Sequence, residues 1–467
     1  MNSNKIFHSS ICVVLALTLS QLCYSQLSPK TELWLQDKAS VCYIGNSITQ
    51  VGDYHFFIDL YYHTRYPKLS FQSYNCGIMG NTAQSLLERM DSDILINKPT
   101  VSTLMIGMND VNRGLYSPNN KDSDLQKQRI DAIETYKQNV QKVVDVLVQN
   151  NSKIVFLTPS IYDQTAFLPE ENMFGVNDAL ATCGSFIKEL AAKYKMPVVD
   201  FNTKMNEINL CEQKKNPAYT IVSSDRIHPD VFGNLIMAHI FLTTMKADPV
   251  VSINTIDVKN KNNSNQTNCT VKNLKINENK VQFSCLENSL PFPVMDKAKP
   301  ALDLVPFIKD LNQELFFCKN LVAGNYELTI DNEIIDTFSD NELNTGINLS
   351  TYSNTPQYKQ SMKAMDLAWE RHRLNSDIFR ILEWMETCEL KNLPRPINLV
   401  QAKKVLYDGL DKMQPGEGLD WFKGIYDNYL KYKPIEKETN NRLNEMMKEY
   451  IQLVQPVWHV FKLQKVK

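Results

Sequence analysis

The sequence has almost no excess of either charge: 50 lysines and arginines face 52 aspartates and glutamates, a formal net charge of -2 over 467 residues. Such a balance leaves no electrostatic footprint for nucleic acid. No lysine or arginine run marks a membrane-surface segment. Past the first two dozen residues no uninterrupted apolar stretch reaches transmembrane length, so stable membrane insertion is not expected. There is no C-x-x-C and no His/Cys cluster with zinc spacing, so no metal site is expected. No internal repeat is present. Apolar residues make up 43% of the chain, enough for buried cores, and the length suits two or three domains.

The first residues read as an export signal. Lys5 is the only charge of the leading segment, Ile11 to Leu22 form a short apolar core, and Ser25 is a small residue at a cleavage point. Residues 1–25 are therefore expected to be removed, leaving a soluble, secreted or periplasmic protein. Export permits disulfides among the cysteines that remain after Ser25. Cys269 and Cys285, which flank an expected hairpin, are the first pair to test.

From Trp34 to Ala247, short apolar runs alternate with amphipathic helices. Val41 to Ile44, Thr103 to Ile106, Ile154 to Leu157 and Val198 to Asp200 read as strands buried on both faces of a parallel sheet. Ile133 to Val148 and Asn177 to Tyr194 read as helices between them. This alternation predicts a three-layer α/β/α domain over residues 26–248. Residues 249–355 read as a β-rich module. Its hairpins turn at Asn277–Lys280 and at Asp331-Asn332, Asn260 to Asn268 reads as a loop, and the stretch from Pro300 to Phe317 is less regular, with helix conceivable. Residues 356–467 read as helical, with a Met and Trp stripe from Met362 to Met385 that suits core packing.

Four separated segments carry the chemistry. Gly45-Asn46-Ser47 follows the first strand, where functional sites of parallel sheets lie. The next helix is expected to start near Gly52, so amides around Ser47 can face a developing anion. Taken alone, Ser47 suits a helix cap equally well. Gly80, in Gly77 to Thr82, can present its N–H without obstruction, although an ordinary glycine turn has the same look. Asn109, in Gly107-Met108-Asn109-Asp110, sits at a strand end where its side-chain amide can donate to an oxyanion, or simply close an Asx-turn. Asp110 suits a role in holding that loop. Finally, Asp225-Arg226-Ile227-His228-Pro229 places a carboxylate three residues before a histidine, with Pro229 in the first turn of the following helix. A carboxylate there can fold back onto one imidazole nitrogen and leave the other to take a serine proton. Of seven histidines, only His228 combines loop placement, a nearby acid and a helix start; His55, His63 and His239 suit packing or surface positions.

Together the four segments resemble the SGNH, or GDSL-type, hydrolase family, whose blocks they match in order across residues 34–247. The later β module and helices resemble the tail of one bacterial branch. The resemblance implies Ser47 as nucleophile, His228 as base and Asp225 as third member. The oxyanion hole would comprise the N–H groups of Ser47 and Gly80 and the Asn109 side chain. It implies ester hydrolysis with no metal or organic cofactor. Asn46 departs from the eponymous motif, which has aspartate there. The expected substrate is an acylated carbohydrate, most simply an acetylated glycan, or another small ester. The alternatives are a broad short-chain esterase or lysophospholipase and, in another class, a non-catalytic glycan-binding protein on an esterase-like scaffold.

Overall fold

Val, Ile and Leu runs with both faces covered form the first sheet. The computed structural model describes residues 34–277, 279–414 and 418–466, and the expected export signal at 1–25 lies outside them. Five parallel strands, β1 (Ala39–Gly45), β2 (Phe71–Gly77), β3 (Val101–Met105), β4 (Lys153–Leu157) and β5 (Val198–Val199), are ordered β2-β1-β3-β4-β5. Gly45 is in register with Gly77 on one side and Met105 on the other. Three strands thus end at one edge, and the segments following them meet there. The sequence reading missed β2 because this edge strand, Phe-Gln-Ser-Tyr-Asn-Cys-Gly, is only partly buried and lacks an apolar run.

The helix Asp53–Arg65 packs beside Val231–Thr244, and Leu125–Gln149 beside Val176–Tyr194, completing the three-layer α/β/α arrangement. Leu125–Gln149 is longer than the expected Ile133 to Val148. None of the residues in its extra N-terminal turns is buried, so no apolar stripe announces them.

Next come β6 (Val250–Asp257), β7 (Asn262–Thr267), β8 (Cys269–Asn277), β9 (Lys280–Glu287), β10 (Gln313–Lys319), β11 (Asn325–Ile330), β12 (Glu333–Ser339), β13 (Ile347–Asn348) and, at the end of the chain, β14 (Trp458–Lys465). They form two sheets, β13-β10-β6-β7 and β12-β11-β14-β9-β8. Phe283, Phe316, Leu328 and Phe461 share the core of this part. Both expected hairpins are present, and Asp331 and Asn332 at the second turn have φ of 51° and 68°, as a tight β-turn needs.

Two expectations are corrected. Asn260 to Asn268 is not all loop: β7 pairs antiparallel with β6, its polar side chains lying on a solvent-facing edge. The stretch from Pro300 to Phe317 contains helical turns, including Phe307–Leu311, but ends in β10. Cys269 and Cys285 lie buried on neighbouring strands as free thiols.

Helices dominate from Pro356 to Leu453, but β14 then returns to pair with β9 and β11. Its alternating His459, Phe461 and Leu463 are buried. The helix Pro356–Leu374 continues through π-turns at Asn375–Phe379 and Met385–Glu389. Met365, Leu382 and Met385 are buried, as the apolar stripe suggested.

Candidate active site

The turn after β1 begins with Asn46. Its side-chain oxygen accepts from the Ile48 N–H at 3.1 Å, and a short helix runs Ser47–Val51. This corrects the expected helix start near Gly52. Gly52, at φ 70°, instead divides that helix from Asp53–Arg65. Asn46 performs the capping that Ser47 could have done, and its carbonyl oxygen accepts as a carboxylate would. Ser47 is therefore the first helical residue, with its N–H in the unpaired first turn.

The Ser47 hydroxyl lies 2.8 Å from His228 Nε2, across 181 residues of sequence. On the other side of the ring, His228 Nδ1 donates to Asp225 Oδ2 at 2.5 Å. Asp225 Oδ1 accepts from the Ser223 hydroxyl and from the Ile227 and His228 amides at 2.7, 2.8 and 3.0 Å. Burial raises the Asp225 pKa, but the hydrogen bonds from the His228 ring, Ser223 and the two amides outweigh it. The carboxyl lies well below the usual carboxylate range. An ionised Asp225 can only accept, so the imidazole proton sits on Nδ1 and Nε2 is free to accept from Ser47. The helix after this loop starts at Val231 with Asp230 as its cap, so Pro229 precedes the first turn instead of forming it.

Arg226 explains how the Asp225–His228 loop is held. At φ 67° its side chain turns inward, is 2% exposed, and donates to the carbonyls of Asp163, Ala166, Leu168 and Glu170. These belong to the loop that follows β4.

The second and third segments are joined by one hydrogen bond, from Asn109 Nδ2 to the Asn81 carbonyl at 2.9 Å. Gly80 has φ of 72°, and a Cβ there would meet nothing within 4 Å, so its turn is open on that side. Gly77 is required for the opposite reason: a Cβ there would sit 2.2 Å from the Gln50 backbone nitrogen. Asp110 accepts from the Ala83 amide at 2.7 Å, as its expected loop-holding role requires, and burial pushes its carboxyl up to about 6.

Sequence reasoning also missed Arg113 and Arg89. Arg113 donates to Asn109 Oδ1 and to the Met108 carbonyl, both at 3.0 Å. Arg89, 3% exposed, donates to Asn81 Oδ1 at 2.7 Å and to the Cys76 carbonyl at 2.8 Å. Both stand outside the short motifs, and an arginine four residues from an asparagine or just past a short helix carries no sequence signal of its own. The remaining described histidines are occupied elsewhere. His55 donates to the Thr49 carbonyl, His239 to Asp310, His372 to Asp53 and His459 to Asp331, while His63 stacks on Phe71.

A hydroxyl with a hydrogen-bonded imidazole, and an imidazole with an ionised carboxylate, can carry acyl transfer through a covalent intermediate. On this α/β scaffold the arrangement matches what the SGNH resemblance implies. Residues 43–236 match the GDSL-like Lipase/Acylhydrolase family and form a domain of that family, and the chain is an ester hydrolase. It is 27% identical over 177 residues to an acetylxylan esterase from Geobacillus stearothermophilus, covering 38% of this chain and 73% of that protein. A solved gut microbial diltiazem-metabolizing enzyme is 27% identical, with a TM-score of 0.84 over 93% of this chain and 99% of its own. The solved acetylxylan esterase Axe2 from Geobacillus stearothermophilus superposes on 46% of this chain and 97% of its own, at 24% identity and a TM-score of 0.38.

Proposed function

We propose that the protein is a secreted carbohydrate esterase that removes acetyl or similar small acyl groups from glycans. Ser47 Oγ attacks the acyl carbonyl and passes its proton to His228 Nε2, while Asp225 holds the imidazolium. The tetrahedral oxyanion rests on the N–H groups of Ser47 and Gly80 and on the Asn109 amide. Collapse breaks the ester C–O bond, and His228 returns the proton to the leaving alcohol. Water then adds to the acyl-enzyme, losing its proton to His228, and the carboxylic acid departs as Ser47 is regenerated.

The observation that carries this reading is the 2.8 Å contact between Ser47 and His228, backed by the Asp225 hydrogen bond on the opposite ring nitrogen. The acetyl and carbohydrate specificity draws on the acetylxylan esterase relative. Export draws on the N-terminal sequence pattern; no helix among the described residues is long and apolar enough to cross a membrane. On this reading residues 26–248 are the catalytic domain, with a β-rich module at 249–355 and a largely helical region at 356–467.

A second reading, a broad hydrolase of small esters, is favoured by the likeness to the diltiazem-metabolizing enzyme along nearly the whole chain. Acetate release from acetylated xylan and pectin separates the two when compared with release from small aryl esters. Turnover of the glycans at rates comparable to aryl acetates supports the carbohydrate esterase. Aryl-acetate turnover with no acetate from any glycan supports the broad esterase.

A further inference from the structure

The tail helices reach into the catalytic layer with two buried polar side chains, His372 and Arg380, both on the helical run that begins at Pro356. Eight residues of regular α-helix would leave them about 80° apart. The π-turn at Asn375–Phe379 lies between them and absorbs one residue, which brings both to the same face. His372 donates to Asp53 at 3.0 Å. Arg380 Nε donates to the Gly77 carbonyl at 3.0 Å, and its two terminal nitrogens fork onto Asp93 at 2.7 and 2.8 Å.

Asp93 also pairs with Arg89, and Arg89 in turn holds the Asn81 side chain. Gly77 and Asn81 bracket the turn that carries Gly80. One end of that turn is fixed by Arg380, the other by Arg89, and a single buried carboxylate joins the two guanidinium groups. Between the ends, Ile78 and Met79 pack in the same apolar cluster as Leu382 and Met385 of the tail. Gly80 itself has no side chain to anchor it.

We propose that Arg380 is a positioning residue for the Gly80 amide, so that the tail completes the oxyanion side of the active site. This rests on the proposed role of Gly80. An arginine fork fixes both the distance and the angle of what it holds. A misplacement of about 1 Å in a donor can cost about 10²-fold in rate.

The test uses the full chain with Arg380→Lys, which keeps the charge but not the fork, and Arg380→Gln. Competent sites are counted by an organophosphate burst. Turnover of p-nitrophenyl acetate per counted site is then compared with KM and with inhibition by a boronic acid, a mimic of the tetrahedral anion. The expected result is a fall of about 10- to 100-fold in kcat per site. KM stays nearly unchanged, boronate affinity falls in parallel with kcat, and the lysine variant is less impaired. Unchanged kcat per site and unchanged boronate affinity, with only a lower melting temperature, would overturn the proposal. If Arg380→Gln does not fold, Arg380→Lys and Asp93→Asn carry the same comparison. Ser47→Ala run alongside separates the two claims: undiminished turnover in that variant sinks the reading of Ser47 as nucleophile, whereas a Ser47→Ala variant reduced by orders of magnitude with normal Arg380 variants sinks only the positioning role.

Discussion

Arg113 donates to the side-chain oxygen of Asn109 at 3.0 Å and thereby decides which way that amide points. A guanidinium has no acceptor, so the oxygen of Asn109 must face it and the nitrogen must face the Asn81 carbonyl. One amide hydrogen goes to Asn81, and on the proposed reading the second serves the oxyanion. Arg113→Ala is expected to lower kcat by about 10- to 100-fold with KM little changed, because a misdirected oxyanion donor is lost only in the transition state. Arg113→Lys should recover part of the rate. Steady-state kinetics on p-nitrophenyl acetate check both.

Asp225 is expected to act through the histidine tautomer. Its depressed pKa keeps it ionised throughout the neutral and mildly acidic range. Asp225→Asn replaces the carboxylate with an amide that can donate, so the imidazole can no longer be held with its proton on Nδ1. A loss of about 10⁴ in kcat is expected, with the fold intact by circular dichroism. A loss under about tenfold would show that the carboxylate is dispensable.

Two nearby glycines should fail differently. Gly77→Ala puts a methyl 2.2 Å from the backbone of the helix that starts at Ser47, so that helix must move. A stability loss of about 1–3 kcal/mol is expected, along with reduced activity. Gly80→Ala meets no neighbour and keeps only the strain of φ at 72°. That strain is worth about 1–2 kcal/mol, and the expected effect falls mainly on kcat. Thermal melts beside kinetics of both variants distinguish the two.

Glu314 gives the expected pH dependence of stability. It is fully buried on β10, and burial followed by the neighbouring Glu287 carboxylate pushes its pKa well above the ordinary value. The folded state therefore holds a proton that the unfolded state releases above about pH 4.3. The stabilising contribution is complete below that pH and declines as the pH rises towards the folded value. Glu314→Gln keeps the shape and removes the ionisation. Its melting temperature should match the wild type near pH 4 and exceed it at pH 8. Melting curves across that range check the sign.

Much of the site was legible because its chemistry lies in short segments just after strands or just before a helix. Ser47 and Asn109 could each be located from an apolar run followed by a turn, His228 from its loop at a helix entrance, and Asp225 by its spacing from His228. Most of the parts that escaped act at a distance. Arg89, Arg226 and Arg380 hold backbone carbonyls or carboxylates across tens to hundreds of residues, and nothing local marks an arginine as buried; Arg113 acts over only four and five residues, but no motif marks it. In the fold, β1 and β3 announced themselves through unbroken apolar runs. β2 and β7 did not, since edge strands can be largely polar. β14 was hidden by distance, its partners β9 and β11 lying far back in the chain. The start of the helix at Ser47 was misjudged because Gly52 looked like an entrance, although its positive φ makes it the break between two helices.

The account depends most on Ser47 becoming acylated. Rapid acid quench of the enzyme turning over p-nitrophenyl acetate, followed by peptide mass spectrometry, tests this directly. The expected result is an acetyl group on the peptide containing Ser47, absent in Ser47→Ala, whose turnover should fall by about 10⁶-fold. Acetyl label on another residue, or undiminished turnover by Ser47→Ala, would contradict it.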